Sequence, residues 1–134
     1  MILLTNTVAQ TIGVGETVTF DEIILHSGCG ECHRPNTGSV KLRYNGVYEL
    51  HFSANIGGET AATLVQLAIS VADDPLPETT MTSVPAAVGD LNNVATSTLF
   101  KNCCGDYDRV TIRNTGTVPV VIGPNPSFYV KRVS

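Results

Sequence analysis

The chain contains no tryptophan, only eight lysines and arginines among 134 residues, and no long apolar run. Each shortage excludes something. Nucleic acid is recognised through clustered cations. Here the formal net charge is −4, and Lys131 and Arg132 form a pair rather than a patch. A membrane-spanning helix needs about 18 or more consecutive apolar residues, and no segment reaches that. Met1-Ile2-Leu3-Leu4 is apolar, but Thr5, Asn6 and Thr7 end the run and no basic flank precedes it. The sequence therefore predicts no secretory signal, no membrane partner, no nucleic-acid partner and synthesis in the cytoplasm. Charged residues make up 15 % against 43 % hydrophobic ones. That is sparse for the surface of a soluble monomer, so much of the surface is expected to meet other subunits.

Catalytic signatures are missing too. There is no G-x-S-x-G, no HExxH and no P-loop. Gly13-Val14-Gly15 precedes a strand-like run, not the helix that a phosphate site requires. No pair of carboxylates is marked as facing across a cleft. Asp106 and Asp108 would share a strand face and could hold calcium, but a solvated strand end beside Arg109 or Arg113 is the simpler reading. His51 alternates with Leu50 and Phe52, which point the other way, so it reads as structural. The chain is taken as a non-enzyme.

What is present is a series of short β-type runs. They cover Asn6–Ile12, Thr17–Phe20, Ile23–His26, Ser39–Tyr44, Val47–Ile56, Ala62–Val71, Thr79–Val84, Asn92–Lys101, Asp108–Asn114, Val118–Ile122 and Ser127–Val133. Several alternate apolar and polar residues, as half-buried strands do. Turn-forming stretches separate them, among them Asn45-Gly46, Gly57-Gly58, Asp73-Asp74-Pro75, Gly89-Asp90 and Asn114-Thr115-Gly116-Thr117. No window carries a sustained helical stripe; Asp90–Val94 could make one turn. These features predict an all-β chain, residues 1–134 forming a single ten-stranded jelly-roll β-sandwich. Phe52, Leu64, Leu67, Ile69, Ile112, Phe128 and Val130 are the expected core or subunit-interface residues. In Leu64–Val71 both faces are weakly charged, which fits cover from a second subunit or a well-buried inner strand.

Ser27-Gly28-Cys29-Gly30-Glu31-Cys32-His33 contains Cys-x-x-Cys-His, the attachment signature of haem c. Haem also needs a second axial ligand, an apolar pocket and export from the cytosol. Met81, His26 and His51 lie in no helical setting, so haem is set aside. Zinc is the stronger metal reading: Cys29 and Cys32 form a chelating knuckle. One cysteine of the Cys103-Cys104 pair, with His33 or His26, would complete a structural site, here taken as Cys29, Cys32, Cys103 and His33. Disulfides among Cys29, Cys32, Cys103 and Cys104 are preferred. Four cysteines allow three pairings, and sequence does not choose between them. The whole stretch is expected to be a tight loop between two strands.

Four stretches resemble one known family: Val14–Phe20, Leu42-Arg43-Tyr44-Asn45-Gly46-Val47-Tyr48 running on to Ala54, Val110–Thr117, and the closing strand Ser127–Val133. Together they resemble the C1q/TNF-like jelly rolls of bacteria and phages, such as the C-terminal heads of collagen-like spore-surface proteins. Gly46-Val47-Tyr48 and Asn114-Thr115-Gly116 fill the places of that family's strand and hairpin motifs. The resemblance implies a compact homotrimer acting as a head or binding surface, without a cofactor. This chain lacks the stalk usual before such heads, which favours a structural virion protein that decorates a phage or prophage capsid or caps a fibre. Its expected partners are itself and a capsid or fibre protein, and its expected location is the virion. The alternative is a trimeric receptor- or glycan-binding module, an adhesin or spore-surface head meeting a host surface or glycan.

Overall fold

A computed structural model describes residues 1–28, 31–33, 36–102 and 109–134, with Cys32 described by its backbone alone. Thirteen strands follow in order: β1 (Ile2–Thr5), β2 (Gln10–Ile12), β3 (Glu22–His26), β4 (Glu31–His33), β5 (Val40–Leu42), β6 (Gly46–Gly58), β7 (Val65–Val71), β8 (Asp74–Pro75), β9 (Met81–Ser83), β10 (Asn92–Asn102), β11 (Arg109–Asn114), β12 (Val120–Ile122) and β13 (Ser127–Arg132). Among the described residues the only helical element is a 3-10 turn, Pro77–Thr79.

The strands form two antiparallel sheets. In the seven-stranded sheet, β3, β1, β13 and β6 lie side by side, with β10 on the far edge of β6. The last residues of β6 also pair with β12, and β12 with β2. The six-stranded sheet runs β4, β5, β11, β7, with β8 and β9 both on the far side of β7. The end of the sandwich where β6 stops and β7 starts is here termed the upper end.

Strand alternation explains the layering. In β6, Tyr48, Leu50, Phe52, Ala54 and Ile56 are buried, while Glu49, His51, Ser53 and Asn55 face away. Phe128 and Val130 of β13, Ile2 and Leu4 of β1, and Val120 and Ile122 of β12 point inward beside them. The six-stranded sheet answers with Val40 and Leu42, Val65, Leu67 and Ile69, and Val110 and Ile112. At the centre, Phe128 lies 5.3 Å from Phe20 and meets Phe52 edge-on at 6.4 Å. The Tyr48 ring is buried, and its hydroxyl donates to the Tyr44 carbonyl oxygen at 2.8 Å, as a buried phenol requires.

Several expectations are corrected. Glu31–His33 is a strand paired with Val40–Leu42, not part of a loop. Ile2–Thr5, left outside the expected β-type runs, is the strand between β13 and β3. Val18 and Phe20 are buried as their alternation suggests, but the segment holds only isolated bridges, Thr17 to Arg113 and Phe20 to Thr37. It crosses from one neighbour to another, so no ladder builds up. Asn92 starts a long strand, and the helical turn falls at Pro77–Thr79 instead. Of the expected core, Leu64 is 48 % exposed, while Phe52, Leu67, Ile69, Ile112, Phe128 and Val130 lie in the sandwich interior. The second face of β7 is already covered: Ala68 and Ser70 are buried within the chain. β7 is thus an inner strand and needs no cover from another subunit. Among the described residues thirteen strands form where a ten-stranded sandwich was expected: Ile2–Thr5, Glu31–His33 and Asp74–Pro75 pair where no run had been expected, while Thr17–Phe20 makes only isolated bridges.

The hairpin after β11 is fixed by Asn114. Its side-chain amide donates to Val118 O at 2.9 Å and Ile12 O at 3.1 Å, and its oxygen accepts from Gly116 N–H at 2.9 Å. One buried side chain therefore joins β11, its hairpin and β2. Replacing Asn114 by Ala strands these groups and is expected to lower stability by roughly 2–4 kcal/mol, measured as a fall in urea midpoint at unchanged slope.

Candidate functional site

The register of the seven-stranded sheet lines up one row across its outer face. Leu25 of β3 lies opposite Leu3 of β1, Leu3 opposite Tyr129 of β13, Tyr129 opposite His51 of β6, and His51 opposite Ser97 of β10. The neighbouring row holds Ser127, Ser53 and Ala95, and the next holds Lys131, Glu49 and Leu99. The face is therefore uncharged through its middle, where leucines, two rings and serines lie; its charges are Lys131 and Glu49 in one row, Lys101 opposite Val47 in the next, and Glu22 opposite Thr5 at the other end. Leu99 is 64 % exposed, and β3 leaves Ile23, Ile24 and Leu25 all exposed. A bulge between Leu3 and Leu4 adds Ile24 to that edge.

The centre of the row is held rigidly. The His51 ring stacks on Tyr129 with centroids 4.9 Å apart and planes at 21°. The Tyr129 hydroxyl donates to Glu49 Oε1 at 2.9 Å. Glu49 in turn lies opposite Lys131. Preset side chains of this kind lose little rotamer freedom when a second surface covers them. The bond to Glu49 raises the Tyr129 pKa above its ordinary value, with burial and the Glu49 charge acting the same way.

The cysteine-bearing segments attach at the lower end. Cys32 lies opposite Lys41, and Lys41 lies opposite Arg109. Cys29, Cys103 and Cys104, with Asp106 and Asp108, fall outside the described residues, as does the side chain of Cys32. His33 is described: its Nδ1 faces the Ser39 carbonyl oxygen at 3.0 Å and its Nε2 that of Phe20 at 3.3 Å. Binding a metal through His33 would cost one of these contacts. His26 Nε2 faces Glu31 O at 2.9 Å. Among the described residues no three His, Cys, Asp or Glu side chains gather into a metal-holding group, and no helix is long and apolar enough to cross a membrane.

Two features escape a reading of the sequence alone. Glu31, inside the cysteine motif, is only 1 % exposed; its carboxylate accepts from the Met1 ammonium at 2.9 Å and from Arg132 N–H at 3.2 Å. It forms one wall of a 370 Å³ cleft that Ser27, Tyr44, Lys131 and Arg132 also line. Leu3 and Leu25 join the outer face only because β1 and β3 pair. The position of His51 on the face away from Leu50 and Phe52 was readable from strand alternation.

Two antiparallel sheets with this strand order form a jelly roll of the C1q/TNF kind, and solved structures share it. The globular domain of zebrafish complement 1qA protein superposes with a TM-score of 0.63 at 13 % identity, covering 96 % of this chain and 94 % of that one. Murine APRIL gives 0.59 at 16 % identity, covering 97 % and 98 %. The vertex protein P5 of phage PRD1 gives 0.54 at 14 % identity, covering 99 % and 96 %. No family model matches the sequence, and no curated protein matches it either. The fold, expected from short motifs, is thus the C1q/TNF-like jelly roll.

Burial is the main cause raising the Tyr48 pKa, with the Glu31 charge adding to it, against opposing effects from the Tyr44 backbone bond and Arg132. Both Tyr48 and Tyr129 are therefore stabilised as neutral phenols in the fold. A raised pKa gives stability that is complete below the free value of about 10 and is lost as pH rises through the folded value. An alkaline absorbance titration should show a late tyrosinate component. Tyr129→Phe and Tyr48→Phe should each remove part of it.

Proposed function

We propose that this protein is a non-enzymatic structural component of a virion: a homotrimeric jelly-roll head that decorates a phage or prophage capsid or caps a fibre. The observation that carries the reading is the outer face of the seven-stranded sheet. Its middle row, Leu25, Leu3, Tyr129, His51 and Ser97, carries no carboxylate, lysine or arginine, and its central rings are already fixed. Three copies closing such faces about a three-fold axis would remove apolar surface from water at about 25 cal/mol per Å². They would also leave no open edge for further growth. The exposed Ile23, Ile24 and Leu25 of β3 extend the same surface. A virion setting is supported by the shared fold of a protein described as a phage vertex protein.

The cysteines belong to the same proposal. Disulfides among Cys29, Cys32, Cys103 and Cys104 would staple the lower end, each adding about 2–4 kcal/mol. A structural zinc on Cys29, Cys32, Cys103 and His33 is the alternative. Native mass spectrometry beside a denatured mass decides both points. The expected result is a trimer without metal whose denatured subunits are lighter by two hydrogens for each bridge. Trimer subunits with zinc and unchanged mass would select the metal site. Ser97→Arg, at an exposed position in the middle row, should give folded monomers. A wild-type monomer, or a trimer indifferent to this change, would overturn the assembly.

A second reading, a receptor- or glycan-binding tip, is favoured by the lower cleft, where Tyr44 offers an aromatic face beside Lys131 and Arg132. Saturable binding to immobilised glycans that Tyr44→Ala abolishes would select it.

A further inference from the structure

The two ends of the sandwich differ in charge. Lys41, Arg43, Lys101, Arg109, Lys131 and Arg132 all lie at the lower end, where β5, β11 and β13 meet the start of β6 and the end of β10. The upper loops, residues 13–16, 59–64, 84–91 and 115–119, contain no lysine, arginine or histidine. Their own charges are Glu16, Glu59 and Asp90; the one cation reaching them among the described residues, Arg113 of β11, donates to Gly15 O at 2.7 Å and is paired with Asp73. The same loops expose Val14, Leu64, Val84, Val88 and Leu91.

A pocket of about 240 Å³ opens among them. Val88, Leu91 and Val121 form apolar walls, Gly57, Gly58 and Gly89 leave the space between them open, and Glu59 and Asp90 stand at the rim. The shape is held in place. A Cβ on Gly57 would run into the Asp90 carbonyl oxygen, and one on Gly123 would come within 3.0 Å of Leu91 Cδ1. Leu91 is thus seated on glycines yet 43 % exposed. Asp90 N–H donates to Ala87 O at 3.2 Å, and Gly89 sits at φ 92°, which closes the turn that carries Val88. The cavity is smaller than the roughly 300–1,000 Å³ of small-molecule sites. It suits a single large apolar side chain instead.

We infer that the upper end is a docking site for a partner polypeptide that inserts one apolar side chain flanked by lysine or arginine. The apolar walls take the side chain. Glu59 and Asp90, which have no ion-pair partner among the described residues, meet the flanking cations. Every copy of the chain carries the whole pocket, so the inference does not rest on the trimer. It gives the proposed head an end that binds its support, opposite the cysteine-bearing end.

The test uses the full chain and three synthetic peptides: one leucine between lysines, the same with glutamates for lysines, and the same with alanine for leucine. The leucine–lysine peptide should shift the amide resonances of Gly58, Gly89 and Leu91. Its affinity should fall about fivefold or more in the E59Q/D90N double variant, the loss expected for two rim charges, and similarly for the alanine peptide. Both substituted carboxylates are exposed, so the variant keeps the fold. Equal binding of the glutamate peptide would overturn the inference, as would shifts confined to other residues or no binding at millimolar peptide. If those amides move with protein concentration alone, a second copy occupies the pocket and the assignment to a foreign partner falls.

Discussion

The strict alternation of β6 is the constraint on which the rest of this structure depends. Its thirteen residues bond to β10 along one edge and to β12 and β13 along the other. Because side chains in a strand alternate without exception, one set of residues makes the core and the other makes the outer face. A slip of one residue would put Tyr48, Leu50 and Phe52 in water and Glu49 and His51 in the interior. The aromatic contacts of Phe128 with Phe20 and Phe52 are built on that register.

The outer face follows from the same geometry but has a different task. Its rings are ordered before anything covers them, since His51 stacks on Tyr129 and Tyr129 is bound to Glu49. The uncharged surface of the chain lies here and at the upper end, not on β7, whose second face is covered by the chain itself. In the proposed assembly the middle of the outer face meets the chain's own copies, and the apolar, acidic upper end, whose Gly57 and Val121 continue the same side of the sheet, meets a foreign support.

The two ends carry different chemistry for a simple reason of chain path. The upper loops are short turns rich in glycine, alanine and proline, which hold β7, β9, β10 and β12 in place with little side chain to spare. The lower end gathers strand termini, where alternating strands finish in Lys41, Lys101, Arg109, Lys131 and Arg132. Glu31 is the exception there: burial and its two donors hold it beneath the cations.

Alternation and turn chemistry alone determined the sandwich class, the inward residues of β6, β7, β11 and β13, and the hairpin at Asn114, because these depend on neighbours within a few positions. Alternation also set His51 on the face opposite Leu50 and Phe52. It could not show that His51 stacks on Tyr129, because their contact joins residues 78 positions apart. Only the tertiary structure decided that Ile2–Thr5 is a strand, that Glu31–His33 pairs with β5, and that Leu3 and Leu25 complete the outer row. Such short apolar runs take their conformation from a partner elsewhere in the chain. The upper pocket belongs to the same class: Gly57, Leu91 and Val121 are ordinary residues apart, and sheet pairing alone brings them together.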